Sequence, residues 1–425
     1  MPPQLGQLTE LVVLTDFVIG RGKSCSIAEL GALEHLKGEL CIWNLENVDD
    51  PSHATGANLK GKRYIEKLEF RWGDDGYNRS LPEQILEQLR PSTYLKALQL
   101  EALKELAIEC FDSIVRVGPE LCGNSGNKRA FPSLENLGIG RCEKIRSFEF
   151  GLTKNLRSLD VRYCPVFESL YCGDEEGPLT SLHSLTISHC SDFISFPGQG
   201  LQAPNLKKLS LQYLDALEGL PKHMHSLLPS LKQLTLVVCT KLRSFPEGGL
   251  PSSIEKLEIW WCDGIESSPE GGFPSNLKEL KIVNCSKLVA DRRNWGLQAL
   301  QSLSSLHIDG CGEVLESFPE ETLLPPSLNS LWLRGFKHLK SLHYKGLEHL
   351  SSLNELQLSW CPELQSMPEE GLPSPLQYLE LNGCPNTLEE RYQENGGDWH
   401  KISHIPWIRI NGKEIKPRQS TLSSS

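Results

Sequence analysis

Between Leu134 and Leu388 the apolar residues of the chain keep one short rhythm, repeated eleven times. In each copy a leucine is followed three residues on by another, two further on by an aliphatic residue, and three after that by a small or apolar residue, usually Cys. One copy reads Leu231-Lys-Gln-Leu234-Thr-Leu236-Val-Val-Cys239. Leu234 and Leu236 are two apart, the period of a strand, so both face one way while Gln233, Thr235 and Val237 face the other. Leu231, Cys239, Leu242 and Phe245 turn inward and fill the space between that strand and the returning chain. Pro246, Gly248 and Gly249 stop any helix and send the chain towards the next strand. The pattern predicts short parallel strands joined by irregular or 3-10 returns rich in Pro, Gly and Ser.

The ninth letter of the frame falls at Cys142, Cys164, Cys190, Leu214, Cys239, Cys262, Cys285, Cys311, Phe336, Cys361 and Cys384, at intervals of 22 to 26 residues. That period and consensus belong to leucine-rich repeats in their cysteine-bearing form. The expected fold is therefore α/β: a leucine-rich-repeat solenoid with a curved parallel β-sheet on the concave side and mostly irregular or 3-10 turns on the convex side. Each unit has one apolar face that it cannot bury alone, so units stack and the stack presents a surface.

The rhythm divides the chain into irregular N-terminal repeats at 1–130, regular cysteine-type repeats at 131–388, a C-terminal cap at 389–416 and a polar, disordered tail at 417–425. In the first stretch, the runs from Gly38 to Ile42 and from Tyr64 to Trp72 read as strands, and Pro82 to Leu89 has helical spacing. Leu95-x-x-Leu98-x-Leu100 is followed after eight residues by Leu103-x-x-Leu106-x-Ile108. Eight residues cannot leave a strand, cross the convex side and return, so one of these motifs must be given up or a repeat has been deleted. Near the end, Ile405, Trp407, Ile408 and Ile410 suggest a last strand that closes the stack.

Composition narrows the function classes. With 54 acidic and 43 basic residues the net charge is −11, which argues against a nucleic-acid footprint. No run of eighteen apolar residues exists and the first residues lack a signal peptide, so no membrane span is expected and the cytosol or nucleus is the natural compartment. Nine of the fourteen cysteines share the interior ninth position. They read as small buried hydrophobes in a ladder, not as a disulfide framework, because Leu214 and Phe336 interrupt the ladder without a second lost partner.

A search for chemistry returns little. Gly20-Arg-Gly-Lys-Ser24 suggests a phosphate loop, but the position five before its Gly-Lys-Ser is Phe17 and not glycine. His223 and His225 form a His-x-His pair with no nearby Cys or carboxylate to complete a metal site. Asn78 and Asn284 sit in glycosylation sequons that match by chance. No nucleophile signature is present, so the expectation is no enzyme, no cofactor and no metal.

The outward positions say more. Position 8 of the frame carries Arg141, Tyr163, His189, Tyr213, Val238, Trp261, Asn284, Gly310, Gly335, Trp360 and Gly383 in turn. Position 7 adds Arg162, Gln212, Val237, Trp260 and Arg334, and position 5 adds Lys281, His307 and Trp332. Trp, Tyr and Arg dominate interface hot spots. The candidate protein-binding residues are therefore Tyr163, Tyr213, Trp260, Trp261, Trp332, Trp360, Arg162 and Arg334. The competing reading is that single rings lean over the strand edge and pack on neighbouring loops.

The opening from Leu5 to Gly20, the stretch from Ile27 to Val48 and the ending Gly396-Gly-Asp-Trp-His-Lys-Ile-Ser-His-Ile-Pro-Trp-Ile408 together resemble the leucine-rich region of plant coiled-coil nucleotide-binding disease-resistance proteins, most closely the RPP13-like subgroup. The resemblance runs from Leu5 to about Ile415. It implies an intracellular immune receptor whose repeats sense a pathogen effector or a guarded host protein and restrain a nucleotide-driven switch. The implied partners are that protein ligand and a nucleotide-binding module, which this sequence does not contain. Two other binding classes fit less well. A ubiquitin-ligase substrate adaptor would need an F-box segment where Met1 to Glu46 continues the repeats. A receptor-kinase ectodomain would need a signal peptide, a spanning helix and Gly-x-Ile-Pro repeats.

Overall fold

The computed structural model describes residues 1, 4–21, 25–48, 50–62, 64–71, 104–109, 115–117, 133–150, 155–171, 177–310 and 315–416. It divides into two compact units, Met1–Leu217 and Glu218–Ser425. Cys311, the helical spacing at 82–89, the motif at 95–100 and the tail at 417–425 lie outside the described residues, as do most of the glycine-lysine-serine run and the sequon at Asn78.

In the first unit the strands Asp16–Val18, Lys37–Trp43, Tyr64–Arg71, Glu105–Glu109, Asn136–Gly140, Ser158–Arg162, Ser184–Ser188 and Lys208–Gln212 pair in chain order, all parallel. The frame fixes the register: Leu68, Leu106, Leu137, Leu159, Leu185 and Leu209 lie side by side, as do Phe70, Ile108, Ile139, Val161, Ile187 and Leu211. A slip of one residue would turn both apolar columns out to water, so the pattern holds the pairing strongly. Of the two motifs that compete around residue 100, the later one forms the strand, Glu105–Glu109, with Leu106 between Leu68 and Leu137.

In the second unit Gln233–Val237, Lys256–Trp260, Glu279–Val283, Ser305–Asp309, Ser330–Arg334, Glu355–Ser359, Tyr378–Asn382 and Trp407–Ile410 form the same parallel ladder. The expected last strand is thus present, and one more, Lys413–Lys416, folds back antiparallel on it. In each unit the returns carry short helices, 3-10 turns and a small separate parallel ladder that the sequence pattern did not predict. There Ser147–Glu149 pairs with Ser169–Tyr171, and Ser317–Phe318 with Ser341–Leu342. Isolated bridges join Ser169 to Ser195 and Ser341 to Ser366. In these repeats a serine five residues after the ninth position, such as Ser147, Ser169, Ser195, Ser341 and Ser366, is a rung of paired backbone outside the main sheet.

The apolar columns are dry. Leu234, Leu236, Leu257, Ile259, Leu280 and Ile282 have no exposed surface, and the same holds for Cys142, Cys164, Cys190, Leu214, Cys239, Cys262, Cys285 and Cys361 at the ninth position. A described thiol there reaches back to the carbonyl two residues before it, as from Cys164 Sγ to Arg162 (3.3 Å) and Cys285 Sγ to Val283 (3.3 Å). Cysteine fits the column because it is small, apolar and a weak donor.

Candidate functional site

The step from position 7 to position 9 requires an unusual backbone. The strand must end and the next side chain must turn into the core. One residue in the left-handed region achieves this. Arg141, Tyr163, His189, Tyr213, Val238, Trp261, Asn284 and Trp360 have φ between 50° and 57°, and Gly335 and Gly383 have 70° and 61°. In the irregular repeats Asn44 (φ 60°) takes the same place ahead of buried Leu45. The amide N–H of the left-handed residue donates to the position-7 carbonyl of the next repeat, as in Tyr163 to Ser188 (2.9 Å), Trp261 to Val283 (2.8 Å) and Trp360 to Asn382 (2.7 Å). Backbone holds the turn, and the side chain at position 8 is left to project.

Glycine and asparagine adopt this conformation readily; for other residues it costs about 1 kcal/mol or more. Four of the candidate residues sit there with large exposed rings: Tyr163 (50% exposed), Tyr213 (41%), Trp261 (44%) and Trp360 (61%). Each combines a strained backbone with wet apolar surface. The structure would be served as well by the glycine found at 335 and 383.

In the first unit the ladder brings three rings together. Tyr163 and His189 stack at 4.3 Å with 21° between planes, and His189 and Tyr213 at 4.2 Å with 18°. His189, read on the sequence as one position-8 residue among eleven, is thus the centre of the stack, and its shared column with two tyrosines was the signal for it. Arg162 lies beside this row with its Nε donating to Asp160 (2.7 Å). An additional face cluster in the irregular repeats had no sequence signal of comparable regularity. Arg71 lies 4.4 Å over the Trp43 ring, and Trp43 Nε1 donates to Asp16 (2.9 Å). Cys41, on the same strand as Trp43, is pushed up to about 11 by burial and then by Glu69, so it remains a neutral thiol.

In the second unit Trp260 and Trp261 are in contact at 5.7 Å, with Trp260 half-buried beside its exposed neighbour. Trp332 (38% exposed) lies against His307 at 5.6 Å. Burial, then Lys281 and Arg334, push the His307 imidazole down to about 4, so it is neutral at physiological pH. Arg334 projects from position 7, with Asp309 at 3.7 Å. Trp360 lies across the α-carbon of Gly383, where a side-chain carbon would come within 3.2 Å of the indole. The outward positions are not uniformly open: Ser188, Ser210, Thr235 and Val283 are buried by their neighbours. His223 and His225 hold their rings 6.4 Å apart, and His225 packs against the Gly248 turn. Among the described residues no group of three or more His, Cys, Asp or Glu is arranged to hold a metal, and no helix is long and apolar enough to cross a membrane.

Comparison with known proteins agrees with this architecture. Residues 27–164 match the family described as R13L1/DRL21 LRRs. A candidate disease resistance protein of Arabidopsis thaliana is 36% identical over 288 residues, covering 67% of this chain and 18% of its own length. RGA4 of Solanum bulbocastanum, also a candidate disease resistance protein, is 30% identical over 445 residues, covering 96% of this chain and 38% of its own. A candidate disease resistance protein of Arabidopsis thaliana, RPP13-like protein 1, is 26% identical over 330 residues, 74% of this chain and 31% of its own. The chain therefore spans well under half the length of these relatives. Stacked repeats, interior cysteines and sequence likeness converge: the chain is a leucine-rich-repeat region of the plant disease-resistance type.

Proposed function

We propose that the sheet face is the recognition surface of an intracellular plant immune receptor, binding a pathogen effector or a guarded host protein. The observation that carries this reading is the occupation of the left-handed column by exposed rings. A residue that is both strained and wet lowers stability, so its retention points to a use outside the fold. Tyr163, Tyr213, Trp260, Trp261, Trp332 and Trp360 act as anchors and Arg162 and Arg334 as orienting donors, the residue types that carry most interface energy. Nothing in this reading needs a cofactor or a catalytic group. In a full-length receptor the same region restrains the nucleotide-binding module; the greater length of the relatives supports that part of the reading.

A binding screen of the purified chain against pathogen-secreted effectors and their host targets tests the proposal. Asparagine at Tyr163, Tyr213, Trp261 or Trp360 suits the left-handed backbone, so such variants separate recognition from folding. A partner whose affinity drops in at least one of them by about 2 kcal/mol supports the reading. A partner that binds all four, together with the alanine variants of Trp260 and Trp332, as tightly as the parent would move the site off this face.

A further inference from the structure

The anchors are not equivalent in their surroundings. In the second unit Val237 pairs with Trp260 and Trp260 with Val283 along position 7, and Val238 and Trp261 follow them at position 8. We propose that the patch formed by Val237, Val238, Trp260 and Trp261 is the docking site for an uncharged, apolar segment of a partner protein. This inference rests on the recognition reading above and adds to it a place and a partner chemistry.

Two independent observations carry it. The first is strain. Val238 has φ 51° and Trp261 φ 50°. A β-branched residue in that region is a genuine outlier, because its Cβ substituents crowd the following carbonyl. The same unit uses asparagine at 284 and glycine at 335 and 383 for the same turn. Two consecutive repeats therefore carry apolar bulk where relaxed residues would serve. Beside them, in the next strand, Val283 is 4% exposed, so the apolar row continues one repeat further.

The second observation is the charge pattern around the patch. Lys256 meets Glu258 at 3.4 Å and Glu279 at 3.2 Å, and Lys281 meets Glu258 at 3.4 Å. Further along the face Asp309 meets Arg334, and Glu380 meets Arg409, each at 3.7 Å. Glu355 accepts from the Ser330 hydroxyl at 3.0 Å and from Gln357 at 2.6 Å. The charges nearest the patch, Lys256, Glu258, Glu279 and Lys281, are thus matched within the face, and Glu355 is held by neutral donors. A charged partner segment would have to break pairs already made, and would leave one member of each desolvated without its counter-ion. An uncharged apolar segment leaves the pairs as a rim and buries only the rings, the usual division between the centre and edge of an interface.

The experiment pans a random 12-residue peptide library on the purified chain at about 0.15 M salt. The expected result is enrichment of peptides with aromatic or aliphatic residues and no net charge. Their affinity should change less than about threefold between roughly 0.05 and 0.5 M NaCl, because no long-range charge attraction is used. Trp261→Asn should weaken them by about 30-fold or more, the loss of one hot-spot anchor, while moving Tm by no more than about 4 °C. Should Trp261→Asn unfold the chain, Val238→Gly gives the same reading, since it removes a half-buried apolar side chain of the patch and relaxes the backbone. Enrichment of charged peptides, strong salt dependence, no enrichment, or affinity unchanged in both variants overturns the inference. If the enriched peptides are instead lost with Tyr213→Asn or Trp360→Asn, this patch is wrong and the broader recognition reading stands.

Discussion

The two ends of the molecule each bury a lysine, and they do it in opposite ways. Near the start, Lys62 is 1% exposed and its ammonium donates to the carbonyls of Leu30 (2.6 Å) and Leu33 (2.9 Å) in the turn of the neighbouring repeat. Among the described residues no carboxylate touches it. Burial, only partly offset by Glu34 at a distance, pushes it down to about 8. Near the end, Lys401 is 2% exposed but sits between Asp398 (3.0 Å) and Glu369 (2.7 Å). Burial opposes its charge too, but the hydrogen bonds and charges of Glu369 and Asp398 outweigh that and raise it. One lysine uses its donors to satisfy backbone; the other is the centre of an ion cluster that also takes in Arg391 through Asp398. An isolated buried ammonium is a weak brace, whereas a buried ion group is costly to break.

The edges differ in the same sense. At the end, Asn411 closes the ladder with its own side chain: its amide oxygen accepts from the Cys384 N–H (3.3 Å) and its amide nitrogen donates to the Cys384 carbonyl (3.2 Å). Lys413–Lys416 then covers the last parallel strand with a mostly charged one. At the start, Asp16–Val18 has a neighbour on one side among the described residues. Leu8, Val12 and Val13 are exposed beside it. A charged, folded-back edge discourages pairing with other chains, and an edge with exposed aliphatic side chains does not.

The sharpest break of this comparison is Lys401→Met. It removes one of the two cations that hold buried Asp398, Arg391 being the other, and should cost about 3 kcal/mol in a denaturant titration, the low end for breaking a buried ion group. Adding Asp398→Leu should recover most of that loss; if the double variant is as unstable as the single, the ion cluster is not what holds the end. Tyr392→Phe comes next. The fully buried Tyr392 hydroxyl accepts from the Met367 N–H (2.6 Å), and an orphaned buried amide should cost about 1–3 kcal/mol.

Lys62→Met should change stability by no more than about 1 kcal/mol at neutral pH, since removing an unpaired buried ammonium offsets the lost hydrogen bonds. Its signature is in pH. With a folded value near 8 and an unfolded value of 10.5, the unfolded chain holds the extra proton between those limits. Stability of the parent relative to Lys62→Met should therefore rise from about pH 8 to 10.5. Lys401 has the reverse sign: its contribution is complete below 10.5 and is lost as pH climbs through its raised folded value. Parallel alkaline melts of the two methionine variants read both signs, and equal slopes would refute the contrast. The smallest effect is Val13→Lys, which should leave stability unchanged within about 0.5 kcal/mol while reducing concentration-dependent light scattering of the purified chain.

The middle of the molecule was legible because its information is periodic. Leucine columns, the inward ninth residue and the outward aromatics repeat every 22 to 26 residues, so each copy checks the others. The ends were not, because their key contacts occur once. Lys401 lies in a motif quoted from the sequence, yet its partner Glu369 is 32 residues earlier in a stretch that reads only as a polar turn. Lys62 spends its donors on carbonyls, which have no sequence identity at all. The left-handed column falls between these cases. Its positions were legible, but the mixture of Arg, Tyr, His, Val, Trp, Asn and Gly hid the conformation that all of them except Gly310 share.

That shared conformation separates two kinds of reader. The scaffold consults only the amide of the left-handed residue, which closes each rung whatever is attached to it; a visiting protein consults only what is attached. Specificity can then be rewritten one rung at a time, each exchange altering the message without unzipping the page on which it is written.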